Sequence, residues 1–443
     1  MRFGEKLGAL LMVEAAFAGA YVSITRGFFY LMMVERGYSV RDLAVVSLVA
    51  SLSMVLVSYL LYRRPELLER SVKVKLLTMH ILERIFWCIL PFIVFRFSYM
   101  FILLAYSLAQ VITVPVCVLL NTVLLSQLSE DEFKSVTGWR NSLGLISSLS
   151  AQLLAVHVLA SMRSPVRYYY LYTIALLLGF LSWIPLTIAR VRDYVRKVSG
   201  YSSEEVEVIA GTTFIYLVLL LGSANMLSIL WVPYLVNDLG APSYLVAIMN
   251  AAGTISGSIS SVLWIRVVYR YYLCGLVIDS AVPTLVMTLP PIFHPALAGL
   301  SAFGFTAGNF IGYFMYSKIA EKSDPIKNST RLAAANALGL LISLIPVAIL
   351  NLSARDGLIL CSCLKVLALV IALLSIKEVS PLPDPRIRTY SKVIFETGMF
   401  SYRLTLEFTT HYVLYTLKIV AVVLIMLFMY FIYRTVTILI SGA

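Results

Sequence analysis

Apolar runs of about twenty residues follow one another along this chain with little between them, and that succession restricts the fold more than any other feature. Twelve runs can be drawn, at roughly 8–31, 42–62, 76–95, 99–124, 139–160, 168–189, 210–235, 243–265, 272–290, 295–317, 332–352 and 356–376. A helix needs about 20 apolar residues to cross the hydrocarbon of a bilayer. Of the 443 residues, 60% are hydrophobic and 13% charged. A water-soluble protein of this size lacks the polar surface to cover so much apolar material. The expectation is an all-α, polytopic membrane protein. Its first run reads as a retained helix, because no small-residue cleavage site stands out near it.

A formal net charge of +12 in a soluble chain would suggest nucleic acid. Here the positions of Lys and Arg give a different account. Alternate connections hold most of them: Arg63, Arg64, Arg70, Lys73 and Lys75 after the second run, Arg190, Arg192, Arg196 and Lys197 after the sixth, Lys318, Lys322, Lys327 and Arg331 after the tenth. The other face holds few, among them Arg36, Arg41, Arg96 and Arg163. Positive residues stay on the cytoplasmic side during insertion. The asymmetry therefore predicts a multi-pass cell-membrane protein with a cytoplasmic N-terminus, the lipid bilayer as its partner and no nucleic acid. The five cysteines lie inside apolar runs without His partners at zinc spacing. They read as small buried hydrophobes, and no metal or cofactor is expected.

The longest connection among the twelve runs, Ala189 to Val208, divides them six and six. The expected organisation is an N-terminal bundle 1–190, a central cytoplasmic loop 191–208 and a C-terminal bundle 209–377. Ser202 or Ser203, ahead of Glu204 and Glu205, suits a helix cap leading into the seventh run. Two six-helix halves about a central cytoplasmic loop are the organisation of a parallel-repeat transporter. Residues 378–443 form an extension. Pro381, Pro383 and Pro385 stop the twelfth helix, and Phe400 to Phe408 alternates with period two, as a strand or surface-lying segment does. The run 418–440 reads as a thirteenth span or as a membrane-surface or partner-docking helix.

Residues 65–75, Pro-Glu-Leu-Leu-Glu-Arg-Ser-Val-Lys-Val-Lys, are similar in character to a signature loop of the major facilitator superfamily, Gly-x-Leu-Ala-Asp-Arg-x-Gly-Arg-Arg-Lys. Leu67, Arg70, Lys73 and Lys75 keep its pattern, Glu69 stands for its Asp, and both glycines are replaced. Arg266 and Arg270 are the counterpart in the second half. The charged stretches 130–142 and 321–331, each leading into a small-residue helix, resemble the superfamily's loops before its fifth and eleventh helices. The resemblance covers roughly residues 1–378. It implies two six-helix bundles, a monomer, and a cavity lined by the first, fourth, seventh and tenth helices. The fourth run carries no arginine and the fifth lacks Gly-x-x-x-Gly-Pro, departures that point away from proton-coupled drug export.

An ionisable or polar group in hydrocarbon is costly enough to be a functional candidate. Glu14, Ala18, Tyr21 and Thr25 share one face of the first helix, and Arg26 lies toward its outer end. As lining residues of a binding site we take Glu14, Tyr21, Arg26, Tyr106, Gln110, Thr113, Asn225, Asn250, Asn309 and Tyr313. Arg26 can equally be an interfacial anchor, and each polar residue can equally serve helix–helix hydrogen bonding. As gating or salt-bridge residues we take Glu69, Arg70, His80, Glu83, Arg84, Arg140, Arg266, Asp279 and Lys365. His80, Glu83 and Arg84 suit a proton relay or a salt-bridge lock, and Lys365 a buried pair or a functional group. Motifs of zinc hydrolases, serine hydrolases and phosphate-binding loops are absent, so an enzyme is not expected. The sequence points to alternating-access transport of a small organic solute, with a coupling proton or ion left open. The alternative is a polytopic lipid-handling or structural protein.

Overall fold

The computed structural model describes residues 3–192, 204–319, 324–383 and 385–397. Twelve long helices dominate them: α1 (Phe3–Thr25), α2 (Val40–Arg63), α3 (Val72–Cys88), α4 (Tyr99–Gln127), α5 (Glu130–Ser161), α6 (Val166–Ile188), α7 (Glu204–Pro233), α8 (Tyr244–Arg266), α9 (Tyr272–Thr288), α10 (His294–Ile319), α11 (Pro325–Leu350) and α12 (Ala354–Ser375). Eleven are long and apolar enough to cross a bilayer. The exception is α10, where Thr306, Asn309, Tyr313 and Tyr316 dilute the apolar run. Leu104, Leu108, Leu177, Ile345, Ile349 and Leu367 are exposed along the helices, as side chains that meet lipid must be. The chain is a multi-pass membrane protein.

Local chemistry sets the ends of these helices. Ser39 with Asp42, and Ser129 with Glu132, form reciprocal capping boxes at the starts of α2 and α5. Asp324 and Ser353 cap α11 and α12 by accepting backbone N–H groups. The run containing α1 continues through a break at Arg26–Phe28 into a short helix, Phe29–Glu35. That of α3 continues into Leu90–Arg96, where Pro91 removes a backbone donor. The capping box at Ser129 starts α5 nine residues before the apolar run that predicts it. The stretch 130–142 is therefore helix rather than loop, and it carries Arg140 about 15 Å into the helix.

The packing repeats with a shift of six helices. In the first set α1 packs on α5 and α6, α2 on α4, and α3 on α4 and α6; in the second α7 packs on α11 and α12, α8 on α10, and α9 on α10 and α12. Two further interfaces, α2 with α11 and α5 with α8, join the sets and are each other's images under the same shift. Glycines show the equivalence at atomic scale. A Cβ on Gly19 of α1 would run into the backbone of Gly144 of α5, and one on Gly222 of α7 into that of Gly339 of α11. Close backbone approach between apolar helices requires small residues at the crossing. Residues 1–391 form one compact unit; of the second, 392–443, the described residues 392–397 are helical. The expected cap at Ser202 or Ser203, the alternating segment 400–408 and the run 418–440 lie outside the described residues.

Candidate functional site

His80, Glu83 and Arg84 lie three and four residues apart, so they project from one face of α3. That face meets α1, and the charges form a continuous chain. Arg140 Nη2 of α5 donates to Glu14 Oε2 of α1 at 2.6 Å, and its Nε donates to the Leu11 carbonyl at 3.0 Å. Glu14 Oε1 lies 3.4 Å from His80 Nε2. Arg84 Nη2 lies 2.9 Å from that same nitrogen and donates to Ser182 Oγ of α6 at 3.3 Å. Arg84 also pairs with Glu83, and Glu83 Oε1 accepts from Arg26 Nη2 at 3.0 Å. Glu14, His80, Glu83 and Arg84 are all buried. Isolated, each ion would carry a large desolvation cost; the mutual pairs and hydrogen bonds offset it.

His80 Nε2 is thus within reach of both the Glu14 carboxylate and the Arg84 guanidinium. Its Nδ1 is buried without a hydrogen-bond partner. Two rings hold the guanidinium groups in place. Arg84 lies 4.1 Å from the Tyr21 ring centroid and Arg26 5.3 Å from that of Trp87.

These contacts correct the expected lining stripe of α1. Glu14, Tyr21 and Thr25 turn toward α3, α5 and α6 and are sealed inside the first helix set, because Arg140 and the α3 cluster neutralise the carboxylate there. Arg140, read from sequence as a loop cation, is the partner that makes this possible. Arg26 is the exception on α1: its side chain is 37% exposed, although its partner Glu83 is 1% exposed.

On α4 the expected face divides. Tyr106 is buried, its ring stacked on Phe29 at 4.1 Å and its hydroxyl 3.0 Å from Tyr30. Thr113 is buried too, accepting from Trp87 Nε1 at 3.2 Å. Both are occupied in packing. Gln110 is half-buried, its amide nitrogen donating to the Tyr106 hydroxyl at 2.8 Å. In the second set Asn225 of α7 donates to Asn336 of α11 at 2.7 Å. Tyr313 of α10 is half-buried and interacts with Asn121 of α4, across the two sets. Asn250 Nδ2 of α8 and Asn309 Oδ1 of α10 are buried without a hydrogen-bond partner, an arrangement worth roughly 1–3 kcal/mol to any ligand that satisfies it.

Lys365 and Asp279, each an isolated charge in its own apolar run, find one another. Lys365 Nζ lies 2.5 Å from Asp279 Oδ1, both side chains are 2% exposed, and Ser301 Oγ donates to the same oxygen at 3.0 Å. The pair joins α9 to α12. Gly304 of α10 permits it, since a Cβ there would collide with the backbone of Gly275 and with Asp279.

The expected gate residues are placed less uniformly. Glu69 is buried at the end of a short helix, Glu66–Glu69, and the left-handed residue of that loop is Ser71, φ 53°. Arg70 and Arg266 are exposed. The polar contacts between the two sets lie elsewhere. Asn141 of α5 donates to Ser261 of α8, Ser142 lies 3.2 Å from Ser258, and Arg331 of α11 donates to Tyr62 of α2 at 3.1 Å. All sit toward the ends of these helices that carry the basic connections. The sequence reading missed them, because single Ser, Asn and Tyr residues near helix ends look alike whether or not they face a partner. It also missed Arg167 with Glu35, and Trp231, which donates to His294 at 3.0 Å. Of the five cysteines, expected to be buried, Cys88 and Cys361 are buried, Cys117 is partly covered, and Cys274 and Cys363 are exposed. In a lipid-facing position a thiol needs no burial in protein.

No protein family and no curated protein matches the sequence. Solved structures do match. The major facilitator superfamily proton:xylose symporter XylE superposes with a TM-score of 0.61 at 12% identity, over 87% of this chain and 98% of that one. A bacterial homologue of the iron transporter ferroportin, outward-facing, gives 0.57 at 14% identity over 84% of this chain and 98% of that one. The nucleoside transporter NupG gives 0.56 at 14% identity over 83% and 98%. With nearly the whole of each structure covered, and two equivalent six-helix sets joined by interfaces that the six-helix shift interchanges, the chain has the fold of the major facilitator superfamily.

Proposed function

We propose that this protein moves a small organic solute across the membrane by alternating access, the helices α1–α6 rocking against α7–α12. One observation carries the reading. Polar side chains with free hydrogen-bonding capacity, Asn250 and Asn309 above all, are enclosed in the second helix set of a bundle whose outer surface is apolar. Unsatisfied polar groups inside a membrane bundle are costly and call for a ligand. The fold supports the same conclusion, since its solved neighbours are transporters, for xylose, for nucleosides and, by homology, for iron. Their solutes differ so widely that the fold selects none of them. Gln110, Asn225, Asn250, Asn309 and Tyr313 are the proposed binding residues. The protein acts as a monomer in the cell membrane with its N-terminus in the cytoplasm, and it is not an enzyme.

The test is uptake into proteoliposomes from a mixed pool of metabolites, comparing wild type with the Gln110→Ala, Asn309→Ala double variant. Selective uptake that the double variant loses supports both transport and the site. Uptake that the variant retains supports transport and rejects the site. No uptake by folded protein rejects transport and favours a lipid-handling or structural role.

A further inference from the structure

Resting on the transport reading above, we propose that the solute carries a single carboxylate and that Arg26 binds it. The network in the first helix set contains three guanidinium groups, Arg26, Arg84 and Arg140, and two carboxylates, Glu14 and Glu83. His80 Nε2 lies between them, 3.4 Å from Glu14 and 2.9 Å from Arg84. Among the arginines and carboxylates one positive charge is therefore left over inside a membrane bundle.

The excess falls on Arg26. Glu14 serves Arg140, and Glu83 is shared between Arg84 and Arg26. Arg84 and Arg140 are 5% and 14% exposed, whereas Arg26 is 37% exposed. Its guanidinium lies on the ring of Trp87 and beside Glu83, and both of those side chains are buried. Its Nε is buried with no hydrogen-bond partner. A guanidinium whose Nη2 is committed to Glu83 keeps further N–H groups in one plane, the fork that pairs with an oxyanion through two hydrogen bonds.

The size of the excess chooses the anion. A carboxylate brings one negative charge and neutralises the network. A phosphate monoester brings about 1.5 to 2 at neutral pH and would leave the site with a buried negative surplus. Apart from its partner Glu83, the groups that continue from Arg26 are uncharged: Trp87 of α3, on which the guanidinium lies, then Tyr106 and Gln110 of α4. The remainder of the solute is therefore a neutral, hydrogen-bonding or aromatic body.

The full-length protein in proteoliposomes, preloaded for counterflow, is offered labelled lactate, benzoate and other monocarboxylates alongside their primary amides, xylose and uridine. The expected result is uptake of one or more carboxylates and exclusion of the matching amides. The variant Arg26→Gln removes the exposed fork and leaves Glu83 paired with Arg84 and Glu14 with Arg140, so it strands no charge and is expected to fold. Carboxylate uptake should fall by about tenfold or more, with Arg26→Lys intermediate. Uptake of amides, sugar or nucleoside without carboxylates would overturn the assignment while leaving transport standing. Undiminished carboxylate uptake by the folded Arg26→Gln variant would remove Arg26 from the site. Folded wild-type protein that moves nothing would sink both.

Discussion

Lys365 and Asp279 show what a residue-level reading can and cannot reach. Each is visible in the sequence as a charge stranded in an apolar run, and the cost of such a charge makes a partner necessary. Which partner it takes depends on the crossing of α9 and α12, which no local pattern encodes. Lys365→Met should strand Asp279 and cost about 3–5 kcal/mol, whereas Lys365→Met with Asp279→Leu should be close to neutral. Thermal unfolding of the detergent-purified protein checks this; equal losses in single and double variants would show that the pair is not what matters. The same logic explains Arg140. Its membership of the Glu14 network was hidden because the capping box at Ser129 lengthens α5 beyond its apolar run. Glu14 was legible as a candidate and wrongly aimed, since helical spacing places a side chain on a face without saying what covers that face.

At the scale of elements, helix number and order were legible almost completely, because the bilayer imposes a length that apolar runs report directly. Ends were less so, and α10 carries a face too polar to pass as a span by composition alone. Contacts between helices were not legible, apart from glycines as sites of close approach. Gly19→Ala and Gly339→Ala should each destabilise by about 1–3 kcal/mol, since the added methyl meets backbone that cannot yield. Gly299→Ala, whose new methyl would sit 3.6 Å from Ser256 Cβ, should be tolerated. Folded yield and melting temperature of the three variants, measured side by side, decide the matter. A Gly19→Ala protein as stable as Gly299→Ala would mean that α1 and α5 do not cross as closely as described.

For the whole molecule, the interfaces of α2 with α11 and α5 with α8 must separate at one end if the two helix sets rock. The contacts Asn141–Ser261 and Ser142–Ser258 place a lock between α5 and α8 on the side of the basic connections. Asn141→Cys with Ser261→Cys, oxidised, should abolish uptake, and reduction should restore it. Unchanged uptake in a demonstrably cross-linked protein would rule out opening on that side. Labelling of an N-terminal tag in sealed cells tests the orientation, and an exposed tag would reverse it. The distribution of charge between the two sets has a further consequence. Asp279 and Lys365 cancel and ride together in the second set, whereas the network of the first holds three guanidinium groups against two carboxylates. Moving an elementary charge through the membrane field is worth about 2.3 kcal/mol per 100 mV. Return of the empty carrier should therefore speed or slow with membrane voltage, while the loaded carrier, neutralised by its passenger, should cross at a rate that voltage leaves unchanged.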